Sequence, residues 1–157
     1  MHITTIKKNP NGDTRSAPKG VTYEQFQEAN DSHRKDVESV MEGLADMLAN
    51  QGFRHDWTKK VYEEDFYKDF IAAQNGADFV SLPWYQLHID KESHHPGSKC
   101  HDDITLLDII ETIADCICAG KARTGEVFPI EFDAEILSKA VTNTVALVDS
   151  MTKVKGG

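Results

Sequence analysis

From Thr22 to Gly52 the apolar residues recur at spacings of three and four: Tyr23, Phe26, Ala29, Val37, Val40, Met41, Leu44, Met47 and Leu48. That period predicts one long amphipathic helix whose apolar stripe, with His33 in it, is turned inward. Thr22 is placed to cap it, Gln25 three residues on completes a capping-box pair, and Gly52 is the expected stop. Val61, Phe66, Phe70 and Ile71 predict a second helix to Gln74, closed by Asn75-Gly76. Glu63, Glu64 and Asp65 fall in its first turn, where the helix dipole favours negative charge. A third segment runs from Ser81 to Ser93 with Pro83 in its first turn, and residues 94 to 101 read as a loop. His101-Asp102-Asp103 is expected to open a strong helix through Ile104, Leu106, Leu107, Ile109, Ile110, Ile113, Cys116 and Ile117. Asp108, Glu111, Thr112 and Asp115 line its opposite face, a row that periodicity alone assigns to solvent. After a connection from Lys121 to Ile130, Asp133 begins a last helix with Ile136, Leu137, Ala140, Val141, Val145 and Val148 on one side.

The pattern therefore predicts an all-α fold, a bundle of five to six helices. Residues 1–21 form an irregular N-terminal arm, extended where Ile3 and Ile6 favour a short strand and turn-rich from Asn9 to Gly20. Residues 22–150 make the helical domain and residues 151–157 a frayed tail. A chain of 157 residues is one domain by length, able to bury a single core of moderate size.

Histidines and acids are spaced along these elements in a way that changes the picture. His55-Asp56 follows directly on the first long helix, and one cation can take both ligands if the chain turns sharply at that junction. Around the pair stand His33 upstream, then His88, His94-His95 and Asp115, with Lys59 four positions after His55. The order H, HD, H, HH, D resembles the HD superfamily of metal-dependent phosphohydrolases, and its six-position form resembles the two-metal members. More closely, His55-Asp56-Trp57-Thr58-Lys59, the later histidines and Glu111-Thr112-Ile113-Ala114-Asp115 resemble small uncharacterised phage and bacterial proteins with an HDxSK-like motif, over residues 25 to 120. Two departures stand out. Pro96-Gly97-Ser98 follows the paired histidines where cyclic-dinucleotide phosphodiesterases carry Gly-Tyr-Pro, and Trp57-Thr58 replaces a smaller pair.

The resemblance implies an HD-like bundle in which His33, His55, Asp56 and Asp115 hold one metal ion, with Asp56 bridging to a second held by His88, His94 and His95. Mixed imidazole and carboxylate ligands suit Mn, Fe, Co, Ni or Zn, one or two ions per chain, rather than calcium. Asp56 and Lys59 are then the catalytic pair, Lys59 holding a phosphate oxygen. Trp84 and Tyr85 are candidates to stack on a base. The implied activity is hydrolysis of a phosphate ester or anhydride of a nucleotide or similar small molecule by a metal-activated water. The competing reading is a metal-stabilised helical binding protein without turnover, of phage origin, that sequesters a ligand or host factor.

Charge and cysteine content narrow the partners. The net charge of −9 opposes an extended nucleic-acid surface, but not a small phosphorylated ligand at a cationic centre. Cys100, Cys116 and Cys118 are odd in number and lack a CxxC pair, which fits a reducing cytoplasmic setting. No run approaches the ~18 apolar residues of a membrane helix. Lys7, Lys8, Arg15 and Lys19 make the N-terminal arm basic, which reads first as a mobile arm and, as the sharper alternative, as a flap over an anionic ligand.

Overall fold

A computed structural model describes residues 2–127 and 129–155 of the chain. Met1 of the expected arm, Phe128 of the expected connection, and Gly156 and Gly157 of the expected tail lie outside the described residues. The fold is all-α apart from one small sheet. Its elements are β1 (Thr4–Ile6), α1 (Tyr23–Arg54), α2 (Trp57–Val61), α3 (Glu63–Gln74), α4 (Pro83–Lys91), α5 (Leu106–Thr124), α6 (Ala134–Ser150) and β2 (Thr152–Val154). No helix among the described residues is long and apolar enough to cross a membrane. The chain divides into two compact units, Met1–Ala49 with Val145–Gly157, and Asn50–Thr144.

In the first unit the N-terminal strand is realised, and Thr152–Val154 of the expected tail form a second strand. β1 and β2 pair in parallel, Thr4 opposite Thr152 and Ile6 opposite Val154. Backbone hydrogen bonds extend the ladder at both ends, from Thr4 N–H to Met151 C=O at 2.8 Å and from Lys155 N–H to Ile6 C=O at 2.8 Å. Ser39 on α1 bonds both His2 Nε2 and Thr4 Oγ1, each at 2.9 Å. The Thr22–Gln25 capping box forms as expected, with reciprocal bonds of 3.0 and 3.3 Å.

The apolar stripe of α1 is covered only in part, with Val40, Leu44, Met47 and Leu48 half-buried. Only Ala29 and Gly43 are buried, whereas Tyr23, Phe26, Val37 and Met41 are exposed. A Cβ on Gly43 would stand 2.7 Å from Met151 Cε and 2.9 Å from His2 Cδ2. At Gly43 the neighbours settle against the backbone itself, and the helix is buried there. His33, one turn after Ala29, is exposed.

In the second unit Ile104, Ile109 and Ala140 form the core, with Leu106, Phe132, Ile136 and Leu137 packed against them. α5 starts at Leu106 rather than at His101, because Thr105 and Asp108 make the capping box. It runs past Gly120 to Thr124 and ends where Gly125 takes φ 81°, a left-handed cap glycine reaches without penalty. The polar row of this helix faces inward. Asp108 is buried, while Ile110 and Ile113 stay exposed. Four hydrogen bonds offset that burial: Asp108 accepts from Gln51 Nε2, Ser93 Oγ, and the N–H and Oγ1 of Thr105. One carboxylate thus ties the end of α1 and the loop after α4 to the start of α5.

Candidate metal centre

α1 passes through Gly52 and ends at Arg54, and α2 begins at Trp57, leaving His55-Asp56 as the corner between them. Asp56 takes φ 56° and ψ 29° and is the one non-glycine residue with positive φ among the described residues. Aspartate tolerates the left-handed region better than most residues, though at some cost. The result is the sharp turn that two adjacent ligands need.

Around this corner the chain delivers side chains from α4, the following loop and α5. Asp56, His88, His94 and His95 each offer a ligand atom within 4.8 Å of the others, and so do His55, His94 and Asp115. His88 and His94 point Nε2 at Asp56 Oδ1 from 3.5 and 3.6 Å. His88 Nε2 and His95 Nε2 stand 2.8 Å apart. On the other side, His55 Nε2 lies 3.3 Å from Asp56 Oδ2 and 3.4 Å from Asp115 Oδ1. Two donors each ~2.1 Å from one ion stand roughly 3–3.4 Å apart in octahedral or tetrahedral arrangement, the spacing seen across this cluster. Asp56 Oδ1 and His94 Nε2 are buried and have no hydrogen-bond partner. Such groups are rare, because an unpaired buried polar atom costs ~1–3 kcal/mol.

The outer partners fix which nitrogen is bare. Thr58 Oγ1 gives its one proton to Glu92 Oε1 at 2.8 Å, so it can only accept from His88 Nδ1 at 2.6 Å. His88 Nε2 is left with its lone pair facing Asp56. Glu111 Oε1 accepts from His55 Nδ1 at 2.8 Å and lies 3.3 Å from His94 Nδ1. Both of those rings also turn Nε2 inward, the arrangement by which carboxylates orient metal-binding histidines. In the sequence Glu111 stands out only as a member of the polar row of α5 and as the first residue of Glu111-xxx-Asp115. Thr58 stands inside His55-Asp56-Trp57-Thr58-Lys59, but nothing in the sequence ties it to Glu92, 34 residues on and joined to it only by the fold.

Charge follows the same geometry. Burial presses the His88 imidazole down to about 4, and burial with the neighbouring His94 and His88 does the same to His95. Both are free bases near neutral pH, the state in which histidine ligates. Burial also opposes charge on His94, but Asp56, Glu111 and Glu92 outweigh it and raise that ring above its ordinary value. For Asp56 burial pulls upward, yet His94, Lys59 and His55 together hold the carboxyl well below the usual range. Lys59 reaches this charge from one turn on, its ammonium paired with Asp56 Oδ2 and still partly open to solvent.

Six of the seven expected ligands therefore converge, and His33 does not belong to either group. Trp84 is buried at 4% exposure and stacks on Phe66 and His88, with centroids at 3.9 and 4.9 Å. Tyr85 is half-buried, its hydroxyl 3.1 Å from Ser98 Oγ. Against known proteins, no family model matches the chain, and no curated protein or solved structure matches it either.

Proposed function

We propose that the chain is a metal-dependent phosphohydrolase acting on a small phosphate ester or anhydride. The observation that carries this reading is the pair of buried atoms without partners, Asp56 Oδ1 and His94 Nε2, among histidines whose Nδ1 atoms are already engaged. A site with bare lone pairs on several sides suits a cation. His88, His94, His95 and Asp56 would hold one ion, and His55, Asp115 and the other oxygen of Asp56 a second. A divalent ion bound there supplies positive charge for phosphoryl oxygens and a water of lowered pKa.

The chain's own residues account for the rest. Lys59 lines a cavity of about 360 Å³ beside His88, His95 and Asp115, so its ammonium can hold a nonbridging phosphate oxygen while anchoring Asp56. In the reaction the water oxygen gives up a proton and bonds to phosphorus, the ester P–O bond breaks, and the leaving oxygen takes up a proton in return. Thr58 sets the Nδ1–H tautomer of His88 and leaves its Nε2 ready to ligate, whereas His94, raised by its acidic neighbours, would release a proton as the ion binds.

Metal analysis of untagged protein, followed by phosphate release from mono-, di- and triphosphates with Mn²⁺ or Co²⁺, tests the proposal. One or two ions per chain with turnover supports it. Stoichiometric metal without release of phosphate from any of them would favour the non-catalytic binding protein.

A further inference from the structure

We infer that the cavity beside the cluster selects a phosphate ester carrying one flat ring system, and that Ala119 and Arg123 of α5 determine that selection. The inference rests on the phosphohydrolase reading for its reactive end only. Cys116, Ala119, Gly120 and Arg123 repeat at helical spacing after Asp115, so one stripe of α5 floors the cavity from the metal-facing acid outward. The first three are small, and the space exists because they are. Arg123 closes the stripe two turns beyond Asp115, ~12 Å along the axis, and has no hydrogen-bond or ion-pair partner among the described residues.

The wall facing this stripe is aromatic. Phe79 and Tyr85 both line the cavity with ring centroids 5.3 Å apart, and Ser98 steadies the tyrosine hydroxyl. Trp84, the sequence candidate for stacking, has too little open surface for a ligand ring. Its Nε1 is buried without a partner, a spare donor in the cavity's lining residue. The cavity thus runs from His88, His95 and Lys59, through an apolar slot, to a free guanidinium. A phosphate at the first end, a planar group in the slot and acceptor atoms at the Arg123 end match that sequence of chemistries. At about 360 Å³ it is near the small end of ligand pockets, ~300–1,000 Å³, which suits a mononucleotide rather than a dinucleotide.

The test compares kcat/KM for nucleoside 5′-monophosphates with that for glycerol 3-phosphate, using Mn²⁺-loaded wild type, Ala119→Leu and Arg123→Gln. Wild type is expected to prefer at least one ring-bearing ester by about tenfold or more. Ala119→Leu should erase most of that ratio and Arg123→Gln should cut it severalfold, with metal content retained in both. A ratio unchanged in Ala119→Leu, or a wild type that prefers glycerol 3-phosphate, overturns the inference. If no phosphate is released from either substrate, the phosphohydrolase reading fails, and calorimetric titration of the same monophosphates into the Mn²⁺-loaded protein decides the pocket separately. Binding lost in Ala119→Leu supports it there, and no binding to wild type overturns it.

Discussion

Asp56 Oδ1 and His94 Nε2 face each other across 3.6 Å, both buried and neither hydrogen-bonded. The gap is too long for a hydrogen bond and suited to two ligands of one ion. Every other polar atom on these two side chains has a neighbour of opposite character: Lys59 and His55 at Asp56 Oδ2, Glu111 at His94 Nδ1. What is left open is left open on one side only.

Replacing Asp56 tests the centre directly. Alanine removes both carboxylate oxygens but keeps a Cβ in the left-handed region, so its loss of function could be mistaken for misfolding. Asp56→Gly removes the same oxygens and accepts φ 56° freely. Both variants are expected to lose bound metal and phosphate turnover while circular dichroism shows unchanged helix content. Turnover at the wild-type rate in Asp56→Gly would sink the assignment.

Glu111 should matter without touching an ion. Its Oε1 sets the His55 tautomer and lies beside His94 Nδ1, so Glu111→Ala is expected to weaken metal affinity about 10–100-fold. Glu111→Gln keeps an oxygen that can accept from Nδ1–H and should recover much of the loss. Competition with a fluorescent chelator measures both, and equal affinities in wild type and Glu111→Ala would remove the carboxylate from the site.

The histidines and acids that converge are legible in the sequence, and the residues supporting them are not, for a physical reason. Candidate metal ligands are limited to a few residue types, so His55-Asp56, His88, His94-His95 and Asp115 stand out wherever they occur. Thr58 and Glu92 serve the site through one hydroxyl and one carboxylate, a combination common on any surface. Periodicity equates inward with apolar, and α5 departs from that along its polar edge while Leu107 and Ile109 are buried as expected. Asp108, Glu111 and Asp115 face inward because hydrogen bonds and neighbouring histidines satisfy them, and Ile110 and Ile113 face out. His33 lies on the apolar stripe of α1 yet is exposed and outside both groups, while Ala29 one turn before it is buried.

Thr58 offers a sharper separation of folding from metal binding. Thr58→Val keeps the shape but deletes the hydroxyl, so His88 Nδ1 loses its acceptor and Glu92 one of its donors. The expected cost is about 1–3 kcal/mol of stability, with metal affinity falling about tenfold or more. Thr58→Ser retains the hydroxyl and should restore affinity even if packing suffers. Thermal unfolding with and without Mn²⁺ distinguishes the two effects, and full affinity in Thr58→Val would show that His88 needs no such anchor.

The last turn of α1 can be strengthened without entering the site. Gly52 lies inside the helix, three residues before His55, and a Cβ there would meet nothing within 4 Å. Its carbonyl accepts from His55 N–H at 3.3 Å, a backbone bond that alanine preserves. Glycine in a helix interior is ~0.5–1 kcal/mol less favourable than alanine, since it loses more backbone freedom on folding. Gly52→Ala is therefore expected to raise stability by about that amount in a denaturant titration, with metal content unchanged. A destabilised variant would mean that the corner at His55-Asp56 draws on flexibility in the turn before it, and the helix end would then be part of how the ligands are brought together.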